Sequence, residues 1–168
     1  MNVYLDGDSC PRPVLEFVAK SCRRSCVPLV CVANRAIPFE DSEGVQMLVV
    51  EVQEGAADEV LVEKAQPGDL VITRDIPLAA RLVENEVTVI NDRGTVYSRE
   101  NVRERLSVRN FMADLRAFGL PADTSGTWGK KEWEAFVRSW DKEFHRLLKL
   151  ASQKFPTQEN QKLVQDDI

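Results

Sequence analysis

Residues 68–91 read GDLVITRDIPLAARLVENEVTVIN. The stretch alternates two kinds of segment. After the Pro67-Gly68 turn, residues 69–73 (DLVIT) are a short apolar run of strand type. Residues 77–85 make a short helix, and residues 87–91 (VTVIN) a second strand. Strand, helix and strand in so few residues form the unit of a parallel sheet with helical crossovers.

The same rhythm extends upstream. Residues 2–6 (NVYLD), 28–34 (PLVCVAN) and 46–52 (QMLVVEV) read as three more strands. Between the first two, residues 13–25 have helical periodicity, with Val14, Phe17, Val18 and Cys22 on an inward stripe. Pro11 or Pro13 suits a first helical turn. Residues 35–44 are a polar loop, and residues 56–65 a helix with Val60, Leu61 and Ala65 inward. Downstream, Ser98 caps a helix that runs in pieces to residue 118, with Glu100 and Glu104 close behind the cap. A Gly/Pro/Ser/Thr-rich loop covers 119–129. Residues 130–151 then carry Trp133, Val137, Trp140, Phe144 and Leu148 on one stripe, widened by Phe136 and Leu147. The expectation is an α/β fold: a mostly parallel central sheet of about five strands, helices on both faces, and C-terminal helices. Residues 1–151 form one domain on this reading, and 152–168 a flexible tail.

Bulk properties bound the function. A chain of 168 residues, 43% hydrophobic and 29% charged, buries a core without staples. Its net charge of −5 argues against broad attraction to nucleic acid, although basic residues can still cluster locally. No run approaches the roughly 20 apolar residues of a membrane span. The chain opens directly on a strand, without a signal segment, so a cytoplasmic location is expected. Cys10, Cys22, Cys26 and Cys31 form no CxxC pair, and His145 is the single histidine. Reduced core thiols, not a zinc site, are expected.

Ligands of an open parallel sheet bind beyond the carboxyl ends of the strands. The first strand ends in Asp6-Gly7-Asp8-Ser9-Cys10, the second in Asn34, the fourth in Thr73-Arg74-Asp75 and the fifth in Asn91-Asp92-Arg93-Gly94. Asp58 lies near the start of the helix before the fourth strand. A parallel sheet would gather these carboxylates at one edge. Clustered like charges raise one another's pKa unless a cation neutralises them. Oxygen ligands suit Mg²⁺ or Mn²⁺, and such ions polarise phosphoryl oxygens and activate water. Asp6, Asp8 and Asp75 are therefore the candidate catalytic carboxylates, and with Asp58 the candidate metal ligands. Arg93, Thr73 and Asn34 are candidates to orient a phosphate, with Gly94 admitting it closely.

Blander readings stand beside these. Asp is common after strands and at helix starts for local hydrogen bonding. Asp8 or Ser9 could cap the first helix, and Asp58 could be a first-turn acid. Arg93-Gly94 could be an ordinary turn with its Arg paired. Asp69, on the opposite edge, reads as a turn residue. Arg99, Arg103, Arg105 and Arg109 read as a solvated helix face or as the flank of a nucleic-acid groove.

Several motifs together carry a resemblance: VYLDGDSCP at 3–11, VAN at 32–34, Ala57-Asp58, GDLVITRDIPLA at 68–79, Arg93-Gly94 and RERLSVRNFM at 103–112. They resemble the YaiI/YqxD family of bacterial proteins, which is placed by fold with PIN/NYN-like nuclease domains. The resemblance covers roughly residues 2–120 and more loosely the next thirty. The chain departs from that family at Asp92, where Pro is usual, at Gly7, where Ala is commoner, and in the Trp-bearing tail, which is not a strong match. The resemblance implies a PIN-like fold and a divalent-metal-dependent nuclease, with RNA ahead of DNA as substrate. One alternative is a non-catalytic metal- or RNA-binding module. A second is a haloacid-dehalogenase-type phosphatase, with Asp6 as nucleophile and Asp8 as acid/base. The aromatic stripe of 130–151 reads as a core face or a homodimer face.

Overall fold

The computed structural model of the chain describes residues 1–39, 43–53, 55–119 and 126–154. Among them five strands form one sheet: β1 (Val3–Asp6), β2 (Leu29–Ala33), β3 (Val45–Val49), β4 (Leu70–Ile72) and β5 (Thr88–Ile90). Helices α1 (Arg12–Arg24), α2 (Ala56–Lys64) and α3 (Ile76–Glu84) alternate with them, and α4 (Arg99–Ala117) and α5 (Lys130–Lys154) follow. The order across the sheet is β3-β2-β1-β4-β5 and every pairing is parallel. The expected α/β architecture is the one the chain adopts.

Side chains alternate across the pleat, so each strand feeds two cores. Val3, Leu5, Cys31, Leu70, Ile72 and Ile90 face one core, which α1 covers with Val14 and Val18 and α5 with Phe136, Trp140, Phe144 and Leu147. Tyr4, Val32, Val71 and Val89 face the other core, closed by Leu61 of α2, Leu78 and Leu82 of α3, and Val102 of α4. Helices thus cover both faces. The aromatic stripe of α5 is used within the chain: Phe17 of α1 meets Trp133 edge-on at 5.2 Å, and Trp140 stacks on Phe144 at 4.7 Å.

Differences from the sequence reading lie at element ends. β4 is shorter than expected because Asp69 closes a turn, accepting from the backbone N–H of Asn2 at 2.7 Å and of Gln66 at 3.0 Å. β3 ends at Val49, and Val52 is exposed. α4 is one continuous helix, opened by a reciprocal capping box between Ser98 and Asn101. α5 runs to Lys154, past the expected end at 151. The rest of the expected tail, 155–168, and the loop centre at 120–125 lie outside the described residues. Among the described residues no helix is long and apolar enough to cross a membrane. Cys10, Cys22 and Cys31 are buried free thiols and Cys26 is exposed. Burial pushes Cys22 and Cys31 up to about 12, so both stay protonated.

Candidate functional site

The chain lays β1, β2 and β3 outward in one direction, then returns to place β4 and β5 on the other side of β1. The strand order therefore reverses between β1 and β4, and a crevice opens beyond the carboxyl ends at such a reversal. The loops leaving these two strands are Asp6 to Ser9 and Thr73 to Asp75. A cleft of about 330 Å³ lies there, lined by Asp6, Asp8, Asp58, Asp75, Ser9 and Asn34. Val52, Gln53, Gly55 and Ala57, from the segment after β3, complete the lining.

A hydrogen-bond network ties the two loops together. Asp6 is only 5% exposed. Its Oδ2 accepts from the Thr73 hydroxyl at 2.6 Å and its Oδ1 from the Ser9 N–H at 3.3 Å. Thr73 Oγ1 in turn accepts from the Asp75 N–H at 3.0 Å, and Ser9 Oγ from the Arg74 N–H at 3.1 Å. Asp8 is exposed and accepts from the Asn34 backbone N–H at 2.7 Å. With its amide nitrogen turned toward the carboxylate, the Asn34 side chain donates to both Asp8 oxygens at 2.8 and 2.9 Å. Neither Asp8 nor Ser9 caps α1, whose N-cap is Pro11 without a side-chain bond. Asp75 does cap α3, accepting from the Leu78 N–H at 2.8 Å through Oδ1. Among the described residues its Oδ2 has no partner.

Asp58 stands in the first turn of α2 and faces the same cleft. Desolvation, then the charges of Asp75 and Asp6, push its carboxyl up to about 6, against a weaker opposing pull from Arg81. Arg81 is held instead by Glu59, donating to its two oxygens at 2.7 and 2.9 Å. Burial is thus the larger cause at Asp58, and the neighbouring carboxylates add to it. The donor chemistry, carboxylate oxygens without sulfur or imidazole, fits a hard divalent ion. Among the described residues, however, no three His, Cys, Asp or Glu side chains converge closely enough to hold one ion as they stand.

Arg93 and Gly94 lie elsewhere. Arg93 lines a neighbouring groove of about 560 Å³, together with Arg74, Arg105, Arg109, Arg116 and Glu104. Its guanidinium donates to the Gly126 carbonyl and lies 4.0 Å from Glu132. Gly94 has φ +82°, and a Cβ there would overlap the backbone carbonyl of Ala135. Its own carbonyl accepts from Ser139 Oγ at 2.6 Å, so the close approach at this glycine is made by α5. Asp92 is buried beside them, with Arg74 Nε 3.3 Å from its Oδ1. Among the described residues its Oδ2 has no hydrogen-bond partner, and burial pushes the carboxyl up against the pull of Arg74 and Arg93. The sequence reading missed Ser9 as a link between the loops and Val52, Gln53, Gly55 and Ala57 as a cleft wall. That segment follows the carboxyl end of β3, so the strand-end rule, carried to the third strand, reaches it.

Comparison with known proteins bears on the family of the chain. The family described as "Uncharacterized BCR, YaiI/YqxD family" matches residues 4–146. The chain is 43% identical over 150 residues to a UPF0178 protein of Syntrophobacter fumaroxidans, covering 89% of this chain and 98% of that one. It is 45% identical over 151 residues to a UPF0178 protein of Treponema pallidum, covering 90% and 85%. Against the UPF0178 protein of Myxococcus xanthus the identity is 40% over 149 residues, covering 89% and 97%. No solved structure matches the chain significantly. The family match takes in the sheet, both acid loops and α5 as far as Arg146, and the chain belongs to the YaiI/YqxD family.

Proposed function

We propose that the protein is a divalent-metal-dependent nuclease of PIN-like type, hydrolysing phosphodiesters with RNA ahead of DNA as substrate. The observation that carries this reading is the meeting of Asp6, Asp8, Asp58 and Asp75 in one cleft at the reversal of strand order. A bound Mg²⁺ or Mn²⁺ would neutralise these acids and supply water activation. Asp8, Asp58 and Asp75 reach the cleft with at least partial exposure and would hold the ion. Asp6 lies beneath them, oriented by Thr73 and Ser9. Thr73 is fully buried, so it acts as a positioning residue for Asp6 rather than as a phosphate contact. Asn34 fixes Asp8 in the same way from the end of β2.

The phosphatase alternative draws less support. It asks Asp6 to be a nucleophile, yet both Asp6 oxygens already accept hydrogen bonds and the residue is buried. A homodimer through α5 would have to use the outward faces of that helix, since the aromatic stripe lies in the core. The non-catalytic binding module shares the cleft and differs only in turnover.

The test is incubation of purified protein with labelled single-stranded RNA in Mn²⁺, Mg²⁺ or EDTA. The expected result is ion-dependent cleavage, reduced at least ~100-fold in Asp8→Asn with unchanged circular dichroism. Absence of cleavage together with absence of Mn²⁺ binding by calorimetry rejects the reading. Ion binding without cleavage selects the binding module.

A further inference from the structure

The groove beside the acid cleft has a charge pattern that the chain as a whole does not share. The protein carries a net charge of −5, yet five arginines and one glutamate line this groove. Arg74 projects from the β4–α3 turn and Arg93 from the turn after β5. Arg105, Arg109 and Arg116 come from α4, at spacings that put them on one helix face. Among the described residues none of these three has a carboxylate partner, and Arg105 donates only to Thr95 Oγ1 at 3.3 Å. Arg74 and Arg93 lie 3.3 and 4.0 Å from Asp92 and Glu132, but the three α4 guanidinium groups are gathered without carboxylate partners among the described residues. Such groups call for anions, and their fork matches phosphate oxygens in pairs.

The groove is also apolar. Ile76, Val108 and Met112 line it beside the arginines. Phe111 of α4 and Phe118 at its C-cap, outside the groove lining, are 58% and 81% exposed. The one buried residue of α4 is Val102, so core packing does not account for Val108, Phe111 and Phe118, all of which are exposed. Arginines for phosphates, with exposed rings beyond the groove edge for bases, are the surface chemistry that holds unpaired polynucleotide strands. A duplex keeps its base faces stacked and cannot use the rings.

We propose that this groove binds a single-stranded polynucleotide, its backbone laid along the arginines of α4. The inference deepens the nuclease reading and rests on it in one respect. Arg74 of the groove and Asp75 of the cleft are consecutive residues, so a strand in the groove is delivered to the carboxylates.

The test is fluorescence anisotropy in EDTA with labelled oligo-U and oligo-dT of about twelve nucleotides. Wild type should bind both, with any preference for oligo-U reporting the 2′-hydroxyl. Arg105→Glu/Arg109→Glu should bind at least about tenfold more weakly and lower the slope of log affinity against log salt by about 1.4. Arg24→Glu, at the opposite sheet edge, should bind like wild type. No binding by wild type, equal binding by the double variant, or tighter binding of a duplex of the same length overturns the proposal. So does a wild-type dimer that Phe111→Asp dissociates, which would assign the surface to a second copy of the chain. A strand bound here but never cut in Mn²⁺ keeps this inference and rejects the nuclease. Cutting that the double variant leaves unchanged does the reverse.

Discussion

Thr73 is the residue through which the two acid loops hold one another. Its hydroxyl donates to Asp6 and accepts from the Asp75 amide. Thr73→Val keeps the shape and strips a buried carboxylate oxygen of its donor. Urea unfolding should show a loss of about 2 kcal/mol, most of it regained by Thr73→Ser. Asp58 predicts a pH effect. Its carboxyl is pushed up to about 6 in the fold, so the folded state holds that proton more tightly than the unfolded chain. The stabilisation is complete below the ordinary carboxylate range and is lost as pH rises through about 6. In EDTA, Asp58→Asn should therefore gain Tm on wild type between about pH 4 and about pH 7. A gap that does not widen would remove the like-charge account of this residue. Asp6, Asp8 and Asp75 were legible in the sequence because they follow apolar runs, and strand ends are where a parallel sheet exposes polar groups. Their partners were not legible. Thr73 lies 67 positions from Asp6, and only the pairing of β1 with β4 brings them together.

At the scale of elements, α5 docks by two devices. One is the aromatic stripe, and the other is Gly94, whose left-handed backbone admits the Ala135 carbonyl. Gly94→Ala combines a strained φ with an overlap against backbone, which cannot step aside as a side chain can. The expected cost is at least about 2 kcal/mol, with a red shift of tryptophan emission as Trp140 loses its cover. The stripe was legible as an apolar face, since its period is that of a helix. Its destination was not, because periodicity says that a face is covered and is silent about what covers it. The pairing with Phe17 depends on α1 and α5 sharing one side of the sheet. α4 shows the converse. Its polar sequence suggested broken pieces, and the structure has one continuous helix, opened by the Ser98–Asn101 capping box and packed against α3 with Val102 in the core.

Across the whole molecule, the alternation of strands and helices carried the fold class, and the order β3-β2-β1-β4-β5 was beyond it. Local patterns decide what each segment becomes, whereas strand order follows from long-range closure of two cores. Those cores draw on the chain unequally. The one under α2 and α3 uses no residue past Val102, while the one under α1 needs Phe136 to Leu147 of α5. Truncation after Gly119 should therefore abolish the cooperative thermal transition and expose dye-binding surface, although all five strands are retained. A sharp transition in that fragment would show that α5 is dispensable.

This division also dictates the timetable of a chain leaving the ribosome. The first core can close as soon as Val102 has emerged, and the second waits for Leu147. At ordinary synthesis rates the interval is about 2–9 s. Throughout it the side chains that α5 will cover stand on a finished sheet with only α1 packed against that face. The nascent protein is most exposed to a holding chaperone, or to aggregation, in that window. A pause in translating residues 103–147 lengthens it, and a pause before Val102 does not.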